Sequence, residues 1–244
     1  MRQKYIDIPE VKLEDVEHFY VIGSQYDDGI LGQANLKADL KEFFFPSPKP
    51  VLPNFNGHAY VDLGLPSGLL WATCNVGASV PEDYGTYYAW GETETKNYFS
   101  WSEYSHGTSG QDITKYNSTD GKTVLDLEDD AAHIVMGGDW RMPTLTELEE
   151  LIENTTQETE VINGVTGVLF TSIANSKTLF FPLGGMKQNF SAQDINRQAY
   201  YWMSTLFSSS ASFGDRMDYV KNWSSATSNG ALRCYGLKVR GVIK

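Results

Sequence analysis

The chain has 244 residues, of which 41% are hydrophobic and 13% aromatic, and its formal net charge is −12. This apolar content suffices for a packed core and argues against a globally disordered chain. The acidic balance, without any cluster of lysines and arginines, argues against a partner bound through its phosphates, so we expect no nucleic acid. The length suits one large domain or two unequal ones.

The N-terminal segment MRQKYIDIPEVKLED starts with charge but contains no apolar run, so it predicts no secretory signal. No window approaches the ~18 apolar residues of a membrane-spanning helix, and we expect no membrane insertion. Two locations remain: inside the producing cell, or outside it by assembly into a phage particle. A chain whose leader had been removed would look the same.

A proline-rich run from Pro46 to Pro53 predicts a linker over residues 46–57, because prolines keep the chain extended and exclude a helix. Before it, HFYVIGS is a candidate strand. A short helix is predicted with one apolar face, formed by Leu36, Leu40, Phe43 and Phe44. Residues 1–45 have too little apolar content to fold alone. They are either an attachment or oligomerisation module, which would make the protein a homo-oligomer such as a trimer, or a tail docked on the main domain.

Short strands and turns dominate the rest of the chain. The strand candidates are HAYVDLGL, GLLWATCNV, TLFFPL, RMDYVKN and GLKVRGVI, and Asn163-Gly164 between apolar flanks predicts a hairpin. One helix is predicted from MPTLTELEELIEN, where Thr144 and Glu147 fit a capping box. Its apolar stripe consists of Leu145, Leu148, Leu151 and Ile152. Many short strands with few helices predict an α+β fold with long surface loops.

Three segments resemble the Fibrobacter succinogenes major paralogous domain family of gut Bacteroidetes and their phages. They are YVDLGLPSGLLWATCNVGASVPEDYGTYYAWGET, LEDDAAHIVMGGDWRMPTLTELEELIEN and YGLKVRGV. The segments DWRMPTLTELEEL and GLKVRGV also resemble the formylglycine-generating-enzyme branch of the C-type lectin fold. The resemblance implies a C-type lectin-like domain over residues 58–244. In diversity-generating retroelement targets of this fold, which include phage receptor-binding proteins, the region before the final strand is hypervariable and binds ligand.

Catalytic, cofactor and metal sites are not predicted. Formylglycine-generating activity needs two neighbouring cysteines late in the domain, and Cys234 has no such neighbour. We expect Cys74 and Cys234 to be buried free thiols, with a disulfide as the alternative. The calcium-dependent sugar motifs E-P-N, Q-P-D and W-N-D are absent. An acidic turn is favoured over a calcium site for the remaining oxygen-rich cluster, Glu128, Asp129, Asp130 and His133.

The neighbours of each tryptophan predict whether it is buried or exposed. Four lie among apolar residues and are predicted in the core: Trp71, Trp90, Trp140 and Trp202. Trp101 and Trp223 lie in polar segments and are candidates for exposure.

The segment LFSSSASFGDRMDYVKNWSSATSNG precedes the closing strand and combines serines with aromatics. Alternation places Met217 and Tyr219 on one face of a strand and Arg216, Asp218 and Val220 on the other. The family resemblance implies that Met217 and Tyr219 lie in the core, so the other three residues are expected to face outward, with Asp215 at the edge. The predicted ligand-binding set is Phe207, Phe213, Asp215, Arg216, Asp218, Val220, Asn222, Trp223, Asn229 and Arg233. Mixed aromatic and small polar residues are typical of evolved binding surfaces, with Trp and Arg as the usual hot spots, so Trp223 and Arg233 are the main predicted anchors. The alternative is a serine-rich loop whose aromatics pack inward.

The predicted function is therefore a non-enzymatic receptor-binding protein of a phage or prophage tail, found on the virion. Its variable face would cover about residues 206–235 and bind a cell-surface protein or glycan, and it is open to diversification by a retroelement. A bacterial cell-surface or pilus-tip adhesin is the alternative, and a formylglycine-generating-type enzyme is the third hypothesis.

Overall fold

Twelve β-strands and two short α-helices are the regular elements of residues 52–244, the part of the chain that this computed structural model describes. The predicted N-terminal module, with its strand and its helix, and the first half of the proline-rich linker lie outside the described residues. None of the described helices is long and apolar enough to cross a membrane.

The strands form four small sheets, and every pairing between them is antiparallel. The sheet orders are β1-β2-β3-β12, β11-β10-β9, β4-β5-β6 and β7-β8. The helices are α1 (Ala131–Met136) and α2 (Leu145–Glu153). The strands are β1 (Asn54–Phe55), β2 (His58–Asp62), β3 (Leu70–Asn75), β4 (Thr155–Ile162), β5 (Val165–Ser172), β6 (Thr178–Pro182), β7 (Met186–Gln188), β8 (Ser191–Gln193), β9 (Gln198–Leu206), β10 (Phe213–Val220), β11 (Thr227–Leu232) and β12 (Arg240–Ile243).

This architecture confirms the predicted α+β class, with many short strands and few helices. The finer expectation of a C-type lectin-like fold stays a prediction. Two 3₁₀ turns, Trp101–Glu103 and Leu127–Asp129, lie in the long connection between β3 and α1.

Helix α2 begins as the sequence predicts. The Thr144 hydroxyl accepts a hydrogen bond from the backbone N–H of Glu147 at 3.3 Å, and the Glu147 carboxylate accepts one from the Thr144 N–H at 2.8 Å. This capping box satisfies two backbone donors at the helix start. Arg141 donates two further bonds to the same carboxylate, at 2.8 and 2.5 Å. Leu148 and Leu151 then pack into the main core.

The predicted hairpin at Asn163-Gly164 is confirmed between β4 and β5, where Ile162 pairs with Val165. Both turn residues have positive φ, 50° for Asn163 and 82° for Gly164. Type I′ turns need this conformation, and Asn and Gly adopt it at the least steric cost.

The alternation predicted for β10 is confirmed at its centre. Met217 and Tyr219 are fully buried against Leu148 and Leu151 of α2. The Tyr219 hydroxyl also donates a 2.8 Å bond to the backbone oxygen of Trp223. These contacts attach the middle of the serine-rich segment to the core.

The four tryptophans predicted in the core are all buried. Three satisfy their indole N–H on a backbone oxygen: Trp90 on Met203 at 2.7 Å, Trp202 on Tyr88 at 2.8 Å and Trp140 on Phe55 at 3.0 Å. Buried tryptophans normally find such a partner, and these bonds tie distant segments together.

Closing strand β12 carries a fully buried arginine, Arg240. Its guanidinium donates to the backbone oxygens of Ala72, Thr73 and Phe180 at 2.6–2.9 Å, and its carbon Cζ lies 4.4 Å from the centroid of the Phe181 ring. Burial lowers the pKa of this guanidinium. The bonds compensate its desolvation and join β12, β3 and β6.

Candidate functional site

A groove of about 820 Å³ lies between residues 110–123 and the segment that follows β9. Most of the lining side chains carry a hydroxyl or an amide. Six of them make no hydrogen bond to the rest of the described chain: Gln111, Ser118, Thr119, Thr123, Ser208 and Ser209. The groove thus presents free donors and acceptors on a concave surface.

Backbone hydrogen bonds hold the two walls of the groove together. The N–H of Leu206 donates to the oxygen of Thr123 at 2.7 Å, and the N–H of Leu125 donates to the oxygen of Ser204 at 2.9 Å. At the other end, the Ser212 hydroxyl donates to the oxygen of Gly110 at 2.6 Å. The groove is therefore formed before any ligand arrives.

Arg233 stabilises the wall of the groove formed by residues 110–123. Its side chain is fully buried, and its Nη atoms donate to the backbone oxygens of Lys115 and Tyr116 at 2.8 and 2.5 Å. Burial lowers the pKa of the guanidinium. The prediction of Arg233 as a surface anchor is therefore wrong, because its donors are directed at the loop backbone and away from solvent.

Phe207 is the one predicted aromatic residue that lines the groove. It is half-buried and packs over Gly230, where an added Cβ would lie 2.8 Å from the phenyl ring. Its ring centroid is 6.0 Å from that of Phe213. These contacts hold the Phe207 ring at the groove.

Arg216 and Asp218 lie on the face of β10 opposite Met217 and Tyr219, as alternation predicts, but they bind each other. Arg216 Nε is 2.6 Å from Asp218 Oδ1, and Arg216 Cζ lies 4.6 Å from the centroid of the Tyr200 ring. Asp218 is buried, so its predicted role as a free surface group is wrong. Burial is the largest influence on its carboxyl and raises the pKa, against the opposing effect of Arg216.

Val220 and Asn229 lie at the margins of this polar face. Val220, the last residue of β10, is half-buried, whereas Asn229 is exposed on β11. The Asn229 amide nitrogen is 3.4 Å from Asp218 Oδ2.

Asp215 was expected at the edge of the sheet and is instead 4% exposed. Burial, and then the charge of Glu149, raise the pKa of its carboxyl to about 6. Its expected place at the edge is therefore wrong, because α2 lies over that part of β10 and brings Glu149 near it.

Trp223 is exposed, as considered from the sequence, with 47% of its surface accessible. It lies with Asn222 in the turn that follows β10, whereas Phe213 begins that strand and Phe207, whose N–H donates to the oxygen of Phe213 at 3.2 Å, lies beside it. Eight strand residues separate the two ends by roughly 23 Å. The predicted set therefore does not form one patch, and only its Phe207 end borders the groove.

The acidic residues 126–130 are committed to internal contacts. Lys115 Nζ is 2.5 Å from Asp129, 2.8 Å from Glu128 and 3.1 Å from Asp126. Asp130 caps α1, because its carboxylate accepts hydrogen bonds from the backbone N–H groups of Ala132 and His133 at the start of that helix. The carboxylates that approach each other near Lys115 thus have an ammonium group among them.

Both described cysteines are free thiols, as predicted. Cys234 is buried and Cys74 is half-buried. Burial raises the pKa of the Cys234 thiol to about 12. A nucleophilic or copper-binding cysteine needs the thiolate, which this environment disfavours.

The wall formed by residues 110–123 was missed from the sequence. Its serines, threonines, asparagines and glycines predict only a loop. The β-bridge between Val124 and Thr205 brings this loop to the groove across a long separation in sequence. Comparisons with protein-family models, curated proteins and solved structures found no match.

Proposed function

We propose that the chain is a non-enzymatic receptor-binding protein whose groove, between residues 110–123 and 205–211, holds part of a cell-surface receptor. The observation that carries this proposal is the convergence of unpaired hydrogen-bonding side chains on one preformed concave surface. Exposed serines are ordinary on a protein surface, but here they line a groove whose volume of about 820 Å³ lies within the range of ligand sites, about 300–1,000 Å³.

The fixed walls favour binding. A flexible loop loses conformational freedom when it closes on a ligand, and this loss weakens affinity. Here Arg233 holds the backbone at Lys115 and Tyr116, and Leu206 is bonded to Thr123. The groove can therefore bind without first ordering its walls.

The chemistry of the groove favours binding over catalysis. Of the described residues that line it, Lys122 alone is charged, and its Nζ is 2.5 Å from Asp126 Oδ2. Nucleophilic and acid–base catalysis need a nucleophile beside a base, or two titratable groups with separate roles. The lining offers neither arrangement.

A tail-associated protein of a Bacteroidetes phage or prophage is the setting we propose, on the virion, and the resemblance of three sequence segments supports it. A bacterial surface or pilus-tip adhesin would use the same groove. DNA flanking the gene separates the two, since tail genes support the phage protein and a leader sequence supports the adhesin. A near-identical downstream repeat that differs only at adenines, beside a reverse transcriptase, would support diversification of residues 206–235.

The function is tested by adding fluorescently labelled protein to intact cells of a panel of Bacteroidetes strains and measuring bound label. We expect saturable binding to a subset of strains, and Ser209→Trp should abolish it, because Ser209 lines the groove and makes no internal hydrogen bond. The matched control is Ser224→Trp, at an exposed serine in the turn after β10. Equal binding by both variants would contradict the proposal.

A further inference from the structure

Resting on that proposed function, we infer that the groove binds an uncharged carbohydrate, and that it does so without a metal ion. The inference follows from three properties of the groove, namely its free hydrogen-bonding groups, its lack of available charge and its single fixed aromatic ring.

The free polar side chains are suited to a polyol. Serine and threonine hydroxyls both donate and accept hydrogen bonds, and the Gln111 amide supplies two donors and an acceptor. The free groups come from both walls: Ser118, Thr119 and Thr123 from one, and Ser208 and Ser209 from the other. A sugar ring presents hydroxyls around its edge, and these both donate to and accept from such groups. Alkyl ligands would leave them desolvated and unpaired, which is unfavourable.

Charged groups near the groove are already paired. Lys122 is bound to Asp126, and Lys115 is surrounded by three carboxylates. Asp120 accepts hydrogen bonds from the backbone N–H groups of Tyr116, Asn117 and Lys122, at 2.6–3.0 Å. Asp112 is bonded within its own turn to Thr108 and Ser109. A sulfated, sialylated or cationic ligand would find no uncommitted counter-charge, so an uncharged ligand is favoured.

Phe207 supplies the apolar surface that a sugar ring also needs. The electron-rich face of an aromatic ring attracts the slightly positive C–H groups of a partner. The ring is held by Gly230 and Phe213, so little freedom is lost when a ligand packs on it. Ile113 and Leu206 add apolar surface to the same lining.

The size of the groove favours an oligosaccharide over a protein surface. Its volume of about 820 Å³ falls within the range of small-molecule sites, about 300–1,000 Å³. A stable protein partner would instead cover about 800 Å² of this chain, a broad area beyond one groove.

The test uses immobilised neutral, sialylated and sulfated oligosaccharides on one array, probed with the full chain in the presence of EDTA. We expect binding to a subset of the neutral oligosaccharides. Affinity should fall at least about tenfold in Ser209→Trp and about tenfold in Phe207→Ala, the loss typical of a hot-spot side chain, and stay unchanged in Ser224→Trp. Binding only to acidic spots, binding that needs calcium, equal binding by Ser209→Trp, or no saccharide binding at all would overturn the inference.

Treated cells distinguish failure of this inference from failure of the proposed function. Periodate destroys sugar diols and should abolish binding of the wild-type chain to cells, whether the sugar is carried by a protein or by a polysaccharide. Binding that resists periodate, is lost after protease and still requires an open groove would overturn the carbohydrate inference and leave the receptor-binding function standing. If Ser209→Trp binds cells as the wild-type chain does, the groove itself is not the site.

Discussion

The guanidinium carbon of Arg233 lies 4.5 Å from the centroid of the Trp90 ring, in the interior of the protein. Arg233 also donates to the backbone oxygens of Lys115 and Tyr116. A single buried cation thus connects the strand-rich core to the wall of the groove. Its role is to position that wall, and at 0% exposure its side chain is closed to solvent.

Replacing this arginine should destabilise the fold. Arg233→Met keeps the bulk but leaves two backbone oxygens without donors, and we expect the free energy of unfolding to fall by about 2–4 kcal/mol. Arg233→Lys keeps the charge but cannot span both oxygens, so its loss should be smaller. Urea denaturation measures both. An unchanged unfolding midpoint in Arg233→Met would show that these bonds do not stabilise the loop.

Gly230→Ala should weaken ligand binding through Phe207, without replacing any side chain that lines the groove. The added Cβ would lie 2.8 Å from the Phe207 ring, so the ring must move away from its place at the groove. We expect affinity for cells to fall about tenfold and the free energy of unfolding to fall by about 1–3 kcal/mol, because the nearest ring atom is Cγ and the whole Phe207 side chain must move. Ser228→Ala, on the same strand, is the control. Full affinity in Gly230→Ala would show that the position of the ring is unimportant.

Asp215→Asn should stabilise the protein at neutral pH. The pKa of Asp215 is raised from 3.8 to about 6 in the folded chain, first by burial and then by Glu149. Between these two values the folded state binds more protons than the unfolded state, so stability falls as pH rises through that window. At pH 7 the ionised carboxylate opposes folding, and removing it should add about 1 kcal/mol after allowance for solvent screening.

Thermal unfolding at pH 4 and pH 7.5 checks this expectation, since the advantage of Asp215→Asn should disappear at the lower pH. Asp112→Asn is the control, because the pKa of this carboxyl is shifted in the opposite direction. The pKa of Asp112 is lowered to about 2 by hydrogen bonds from Thr108 and Ser109, so its substitution should bring no gain at pH 7.5. An equal gain for Asp215→Asn at both pH values would contradict the assigned cause.

Because of Lys238, we expect the stability of the fold to depend on pH in a second, higher range. Its Nζ lies 3.1 Å from the centroid of the Tyr87 ring and 3.0 Å from the backbone oxygen of Gly85. Burial, and then Lys187, lower the pKa of this amine from 10.5 to about 7. Between pH 7 and 10.5 the unfolded state binds more protons, so this group makes the fold more stable as pH rises.

Lys238→Met removes that dependence. Between pH 6 and pH 9 the free energy of unfolding of the wild-type chain should rise by about 2 kcal/mol. The free energy of unfolding of the variant should not show this rise, because the variant lacks the amine. Lys221→Met, at an exposed lysine, should show no such trend. Parallel stability curves for Lys238→Met and the wild-type chain would contradict the lowered pKa.

Much of the fold could be predicted from local sequence patterns, because each of these elements is determined by residues that are close together in the chain. The Thr144–Glu147 capping box and the Asn163-Gly164 turn depend on residues close in sequence. The alternation around Met217 and Tyr219 likewise reflects the pleat of one strand. Each of these elements is found where the sequence places it.

The candidate site was predicted only in part, because it is formed by contacts between residues that are far apart in the chain. An arginine in a polar segment is normally exposed, and only Trp90 and the distant carbonyls of residues 115 and 116 explain the burial of Arg233. Alternation predicted which face of β10 Asp218 would occupy but not its burial beside Arg216. Phe207, predicted as a ligand-binding residue, lines the groove, whereas the opposite wall depends on the non-local bridge between Val124 and Thr205.

The central claim is that the ligand lies in the groove and not at the exposed turn around Trp223. It is tested most directly by comparing the affinities of Ser209→Trp and Ser224→Trp for the cells that bind the wild-type chain. We predict a loss of at least about tenfold for Ser209→Trp and wild-type affinity for Ser224→Trp, with both variants folded by circular dichroism. Wild-type affinity in Ser209→Trp together with a loss in Ser224→Trp would place the site at the turn and contradict the account.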